Sequence, residues 1–489
     1  MKDALFHLDP IDGVGLQSQV REMLVSAILS RRLQPGEMVP SSRAMAEQLS
    51  VSRNTVTLAY QALVADGYLE SRNRSGYYVS MDAPVSDATI VDRTQTPSGT
   101  SDNARWQRRF RNASTGLDRI AKPLNWREYT YPFVYGQADS SLFNHSDWRD
   151  CARQALGLRN FESMAGDKGE ADDPLLVDYI RARTLPRRGV MVTGDQILVT
   201  MGAQNALYLL AELLCARGAR VAIEDPCYPD FRNTLIRLGA DIVLIPVDDH
   251  GLVVDERLEG VDVVFVTPSH QAPTTATMPL SRRRELLAAA EAHDFVIIED
   301  DYDFEMGFLQ KPAPALKSLD KSDRVIYVGS FSKSLFPGLR LGYVVAPEPV
   351  IVEARALRFL MLRHPPGYAQ RTAAYFLAFG HHDALINRLR NALAQRRAVM
   401  EEALDTAGLS DARAPQFGGA SFWIETARSI DTVELADTLR ERNVLIEPGA
   451  PFFAGKQSSR YMRLGYSSIK SERIAAGIKI ICEEIERFS

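Results

Sequence analysis

Cysteine is scarce in this chain. Cys151, Cys215, Cys227 and Cys482 are the only four in 489 residues, and none is spaced as in a metal site or a disulfide framework. They read as reduced, mostly buried thiols, and no metal is expected. No apolar stretch approaches the roughly twenty residues that a bilayer span needs, and no cationic start leads into an apolar run. The expected compartment is therefore the cytoplasm, with no membrane partner. Internal repeats are absent as well. Neither sign of charge dominates: 57 Lys and Arg against 62 Asp and Glu leave a net charge of -5, so nothing global attracts a polyanion. The first eighty residues balance too, with 8 basic and 8 acidic side chains. Any affinity for nucleic acid there must come from where the charges sit.

What is present is an ordinary globular composition, 45% hydrophobic and 24% charged, in a chain long enough for at least two domains. Three zones are expected: a domain over 1–80, a linker over 81–124 and a larger domain over 125–489. The linker's first part, 85–103, is rich in Ser, Thr, Asp, Gly and Pro and lacks core-forming periodicity. Its second part, 105–127, carries seven basic residues and one acidic residue, and is read as a solvated, partly helical connector.

In the first zone, Val20, Leu24, Ala27 and Ile28 form one face of a helix. A turn at Pro35-Gly36 follows, then a short helix opened by a serine cap at Pro40-Ser41-Ser42. A third helix starts at once with Ser52 as its cap. Two short helices joined by a tight turn form a helix-turn-helix, and the second enters the major groove. Its first residues, Arg53, Asn54, Thr55 and Thr57, are of types that reach bases and phosphates. Two strands around Arg72-Asn73-Arg74-Ser75 then make a wing with two guanidinium groups at its tip.

Beyond 125, apolar runs of four to six residues alternate with helical stretches, the pattern of an α/β fold with a mostly parallel sheet. These runs include 197–200, 220–223, 241–245, 263–266, 295–298 and 325–328. Long amphipathic helices from about Gly367, with strands at 421–425 and 461–466, suggest a smaller α+β lobe.

Within this zone, Asp300 ends one apolar strand, and Lys333 follows another after Ser330-Phe331-Ser332. An amine beside a phosphate cradle, with a buried carboxylate to keep a pyridine nitrogen protonated, is what pyridoxal phosphate requires. Lys333 is the candidate Schiff-base lysine. Ser330, Ser332 and Arg340 are candidate phosphate donors. Gly202, Ala203 and Gln204 open a helix after a strand and offer backbone N–H groups to the same phosphate. Tyr302 is expected to reach the ring hydroxyl, and Tyr228 to lie against the ring face.

The first module resembles the winged helix of GntR-type bacterial repressors, from Leu33-Gln34-Pro35-Gly36-Glu37 through Val51-Ser52-Arg53-Asn54-Thr55-Val56 to Ser75-Gly76. The resemblance implies that Arg43, Arg53 and Thr55 touch DNA, with Arg72 and Arg74 in the minor groove or on the backbone. The remainder resembles fold-type-I aminotransferases, most specifically at Ser330-Phe331-Ser332-Lys333 and Arg340. Together the two modules are similar to MocR/GabR-type transcriptional regulators. Thr267-Pro268-Ser269-His270-Gln271 and Arg463-Leu464-Gly465-Tyr466 are similar to that group in particular, and the likeness assigns Arg463 to an effector carboxylate. It implies a homodimer, domain-swapped, that binds double-stranded operator DNA. It also implies an amino-acid-like effector, detected by external aldimine formation as the effector amine displaces Lys333. Gly418–Trp423 and Pro273-Thr274-Thr275 resemble the branch serving taurine or ectoine catabolism. Ala272 stands where aminotransferases place an asparagine, which argues against efficient transamination. A working aminotransferase with an accessory DNA-binding domain is the alternative.

Overall fold

A computed structural model describes residues 6–8, 14–72, 75–83, 106–110, 114–137, 139–167, 169–216, 218–309, 313–409, 419–427, 430–455 and 459–488. The chain divides into two compact units, Met1–Phe110 and Arg111–Ser489. The 85–103 stretch read as a linker lies outside the described residues, as does Arg74.

The first unit is built from α1 (Leu16–Leu29), α2 (Ser42–Gln48), α3 (Arg53–Ala65), β1 (Leu69–Arg72) and β2 (Gly76–Val79). Val20, Leu24, Ala27 and Ile28 of α1 are buried against Met45, Val56, Tyr60 and Leu63, so the apolar face legible in the sequence is the face that packs. Ser41 and Ser52 cap α2 and α3, accepting the backbone N–H of Ala44 and Thr55 at 3.2 and 3.1 Å. The wing gains an edge from the 36–39 segment: Gly36 donates to Val79, Val79 to Glu37, and Val39 to Tyr77.

The second unit is organised by an eight-stranded sheet. In chain order its strands are β3 (Ile197–Thr200), β4 (Arg220–Asp225), β5 (Asp241–Asp248), β6 (Gly251–Leu252), β7 (Val263–Val266), β8 (Val296–Asp301), β9 (Val325–Ser330) and β10 (Gly342–Val345). The spatial order is β3-β10-β9-β8-β7-β4-β5-β6. Strands β9, β8, β7, β4 and β5 pair in parallel, while β10 runs antiparallel between β9 and β3.

Alternate residues of the central strands feed opposite cores. Ile223, Phe265, Ile298 and Val328 pack with α4 (Ala203–Leu214), α5 (Pro229–Leu238) and α7 (Glu348–Leu362). Ala222, Val264, Ile297 and Val325 pack with α6 (Leu280–His293) on the other face. Covering both faces explains why these strands read as unbroken apolar runs.

The smaller lobe joins α8 (Gly367–Ala378), α9 (His381–Thr406), α10 (Thr432–Glu441) and α11 (Ser471–Phe488) to a sheet of β11 (Ser421–Glu425), β12 (Glu447–Pro448) and β13 (Tyr461–Gly465), ordered β11-β13-β12. The segment 131–137 is threaded into this lobe. Tyr131 and Pro132 pair in parallel with Val444 and Leu445, and Gly465 donates to the Phe133 carbonyl at 3.0 Å. A Cβ on Gly465 would stand 2.6 Å from the Val134 carbonyl, so only glycine lets the two backbones pass. That passage carries Tyr135 and Gly136 to Lys333.

Candidate functional site

The C-terminal ends of β3, β8 and β9 open into one cavity of about 380 Å³. Such a position, outside the carboxyl ends of parallel strands, is where open α/β sheets bind ligands. Ala203, Gln204, Tyr228, Asp300, Tyr302, Ser330, Ser332, Lys333, Arg340 and Arg463, all singled out in the sequence, are brought together along it. Gly202 lies behind this wall at the start of α4, with φ +80°. A Cβ there would add backbone strain and would meet the Arg340 guanidinium at 3.1 Å. The start of α4, Arg340, Ser330 and Ser332 thus converge as an anion cradle, in which Ser332 N–H donates to Ser330 Oγ at 3.2 Å.

Lys333 is half-buried and opens on this cavity. Burial, reinforced by the positive charge of Arg463, pushes its amine down to about 8, against the opposing pull of Asp303, Glu447 and Asp300. Its Nζ lies 4.5 Å from the centre of the Tyr135 ring. Asp300 is buried, and its Oδ1 has no hydrogen-bond partner among the described residues. Burial, followed by the charges of Asp301 and Asp303, holds its carboxyl well above the usual range, with Lys333 acting in the opposite sense. Its neighbour Asp301 uses Oδ2 to accept from Arg188 Nε at 2.6 Å and the Tyr327 hydroxyl at 2.8 Å, while its buried Oδ1, like that of Asp300, has no hydrogen-bond partner among the described residues. Of the two adjacent carboxylates, Asp301 is anchored through one oxygen, and Asp300 is the one that lines the cavity.

The remaining polar groups are mostly engaged. Tyr228 Oη sits 2.8 Å from Gln204 Oε1 and 2.9 Å from Asp230 Oδ2. Tyr302 donates to the His270 carbonyl at 3.0 Å. The phrase beginning at Thr267 is a brace between strand ends. Thr267 donates to Glu224 at 2.6 Å, Ser269 accepts from Arg188 at 2.7 Å, His270 Nδ1 meets Asp303 at 2.6 Å, and Gln271 Nε2 donates to the Pro226 carbonyl at 2.8 Å. The Glu224 carboxyl at its base is pushed up to about 7 by burial. Ala272 lines the cavity but brings no polar side chain to it.

Arg463 is not a free cation. Its Nε donates to Glu447 at 2.7 Å, the pair is buried, and the guanidinium lies over Tyr135 and Phe452 at 4.2 and 4.7 Å. Glu447 also accepts the Tyr135 backbone N–H at 3.2 Å.

Sequence reasoning did not single out Tyr135, Gly136, Asp303 or Glu447. Tyr135 donates to Asp303 at 3.1 Å, so lysine, tyrosine, carboxylate and histidine form one connected group. The one sequence signal was Gly136 closing an aromatic run, which carries no motif. None of the described residues in the acidic segment 166–174 lines the cavity. Asp172 clamps Arg355 and Arg358 at 2.9 and 2.6 Å, and Asp173 caps the following helix and pairs with Arg371.

In the first unit, Arg43, Arg53 and Asn54 are exposed. The Ser52 hydroxyl is committed to capping α3 and also contacts the Thr55 hydroxyl at 2.8 Å. Arg72 pairs with Glu70 at 2.5 Å and lies 4.3 Å over the Tyr78 ring, so its charge is partly spent within the wing.

Comparison with known proteins agrees with both halves. Residues 16–79 match the gntR family of bacterial regulatory proteins, and residues 177–481 match class I and II aminotransferases. The HTH-type transcriptional regulator TauR of Rhodobacter capsulatus is 49% identical over 98% of each chain. A probable rhizopine catabolism regulatory protein, MocR of Rhizobium meliloti, is 35% identical over 80% of this chain and 78% of its own. Among solved structures, LysN, an alpha-aminoadipate aminotransferase of Thermus thermophilus, has a TM-score of 0.70 and 25% identity, covering 78% of this chain and 98% of that one. The chain belongs to the MocR-type transcriptional regulators, in which a GntR-type DNA-binding domain is fused to an aminotransferase-like domain.

Proposed function

We propose that the C-terminal unit holds pyridoxal phosphate on Lys333 and uses it to sense a small amine-bearing acid. The winged helix, in a homodimer, binds two half-sites of operator DNA and carries the response. One observation carries the reading: a lysine amine lowered to about 8 shares a cavity with a buried Asp300 oxygen that no group among the described residues satisfies. A buried carboxylate without a partner is costly, and a protonated ring nitrogen would remove the cost.

The donor set suits the cofactor. The N–H groups at the start of α4, Ser330, Ser332 and Arg340 would take its phosphate. Tyr302 would meet the ring hydroxyl, and Tyr228 would lie against the ring. Bound there, the cofactor offers an aldehyde carbon that a primary amine can take over from the lysine. Arg463 would receive the effector's acid group. The effector shifts the regulator only to the extent that it binds the DNA-competent and incompetent forms unequally. Likeness to the taurine and ectoine branch makes small amino acids and aminosulfonates the first candidates.

Turnover as an aminotransferase is the weaker reading, because Ala272 brings no side-chain donor to the cavity. The test is to reconstitute the full chain with pyridoxal phosphate and follow its visible spectrum with small amines, then with 2-oxo acids. A saturable spectral change that alters DNA affinity, without steady consumption of amine, is the expected result. Steady turnover would instead support the enzyme.

A further inference from the structure

One wall of the cavity combines the smaller lobe with residues from outside both it and the sheet. Ile120 and Lys122 line it alongside Glu447 and Arg463. They belong to 114–122, the end of the basic connector, and that segment is fastened to α5. Asn233 donates to the Asp118 carbonyl at 2.5 Å, Arg232 lies 3.9 Å from the Asp118 carboxylate, and Arg237 donates to Ser114 Oγ at 3.3 Å. Lys122 makes no ion pair among the described residues, and its ammonium stands 5.1 Å from the Trp126 ring. Desolvation and the nearby Arg127 push its amine down, while Glu447 pulls it back up.

Charge balance on this wall is uneven. Glu447 is already bonded to Arg463, so Lys122 and Arg463 together exceed it by one positive charge. A cation on a cavity wall with no direct ion pair among the described residues, near a carboxylate already bonded elsewhere, is a site for an anion. We propose that Lys122 is a specificity-determining residue for the effector, contacting a monoanionic head group whose amine end is directed to Lys333. The class of ligand is then a short primary amine with one terminal carboxylate or sulfonate. The inference deepens the proposed function and rests on it. The segment that meets the head group is also the one that leads, along the chain, back to the DNA-binding unit. Head-group binding to Lys122 would add one more tie to a segment already fastened to α5.

The test uses the full chain loaded with pyridoxal phosphate. Three probes are titrated against the visible spectrum: 2-aminoethanesulfonate, 3-aminopropanoate and ethanolamine, the last lacking the anion. Lys122→Met is expected to raise the midpoints for both anionic probes about tenfold, the scale of removing one charge-assisted hydrogen bond, and to leave that for ethanolamine unchanged. Lys122→Arg should restore the anionic midpoints to within a few fold. In wild type, 2-aminoethanesulfonate should slow amide hydrogen exchange across 114–122, and ethanolamine should not. Equal shifts for all three probes, or no shift for the anionic pair, would overturn the assignment to Lys122 while leaving amine sensing intact. A wild-type spectrum blind to every amine would overturn both readings.

Discussion

Gly136 lies directly against the amine of Lys333: a Cβ built on Gly136 would come within 2.0 Å of Nζ. The glycine also has φ +71°, a conformation L side chains rarely adopt. The space on one side of the amine is thus bounded from a distant part of the chain, by a residue with no chemistry of its own. Gly136→Ala is expected to displace Nζ and slow cofactor capture at least tenfold, with the fold retained. Stopped-flow absorbance after mixing with pyridoxal phosphate, alongside circular dichroism, measures both. Capture at the wild-type rate would mean that the lysine works from another rotamer.

Lys333 itself gives a prediction with a definite pH sign. Its amine must be neutral to attack an aldehyde, and its pKa in the folded protein is lowered to about 8. The neutral fraction therefore climbs from about a tenth at pH 7 to about nine tenths at pH 9, far below the range of an ordinary lysine. Capture should rise through pH 8 and then level off. Between about 8 and the unfolded value the unfolded chain binds more protons, so this group makes the cofactor-free protein more stable as pH rises. Lys333→Ala should lose the visible absorbance of the bound cofactor, keep its fold and gain slightly in relative stability at pH 7. Retained absorbance would assign the cofactor to another lysine.

Much of this was legible because parallel strands buried on both faces must be apolar throughout. The runs at 197–200 and 263–266 coincide with β3 and β7, and the cavity residues fall at or just beyond strand ends. What could not be read were partners supplied from elsewhere in the chain. Glu447 meets Arg463 only because β12 and β13 pair, and their register puts the two residues opposite one another. Tyr135 and Gly136 reach Lys333 only because Gly465 lets a backbone pass. The position of Lys122 was hidden for a different reason. A short basic stretch reads as solvated connector until Asn233 and Arg237 of α5 are seen to hold it down.

Arg53 is exposed at the first turn of α3, the helix proposed to read DNA, whereas Arg72 is tied to Glu70. Arg53→Ala should therefore weaken operator binding more than Arg72→Ala does. If Arg53 meets a phosphate, the difference from wild type should narrow as salt rises. The slope of log affinity against log salt should then fall by about 0.9 for each phosphate no longer neutralised. Fluorescence anisotropy over a salt series distinguishes the cases. Equal affinity of the Arg53 variant and wild type at low salt would remove that residue from the interface.

The Arg463–Glu447 pair needs two variants to interpret. Removing one member of a buried pair leaves an unpaired charge and typically costs about 3–5 kcal/mol, so Arg463→Ala should destabilise the protein whatever its role in binding. Adding Glu447→Ala removes the stranded carboxylate and should recover much of that loss. Effector binding should not recover, because the head group would still lack its guanidinium. One missing charge-assisted bond amounts to about 1.5–3 kcal/mol, or roughly one to two decades in midpoint. Thermal unfolding and spectral titration of the single and double variants separate the two effects. Recovery of both stability and midpoint in the double variant would reduce Arg463 to a structural partner of Glu447 and leave Lys122 as the remaining cation for the acid group.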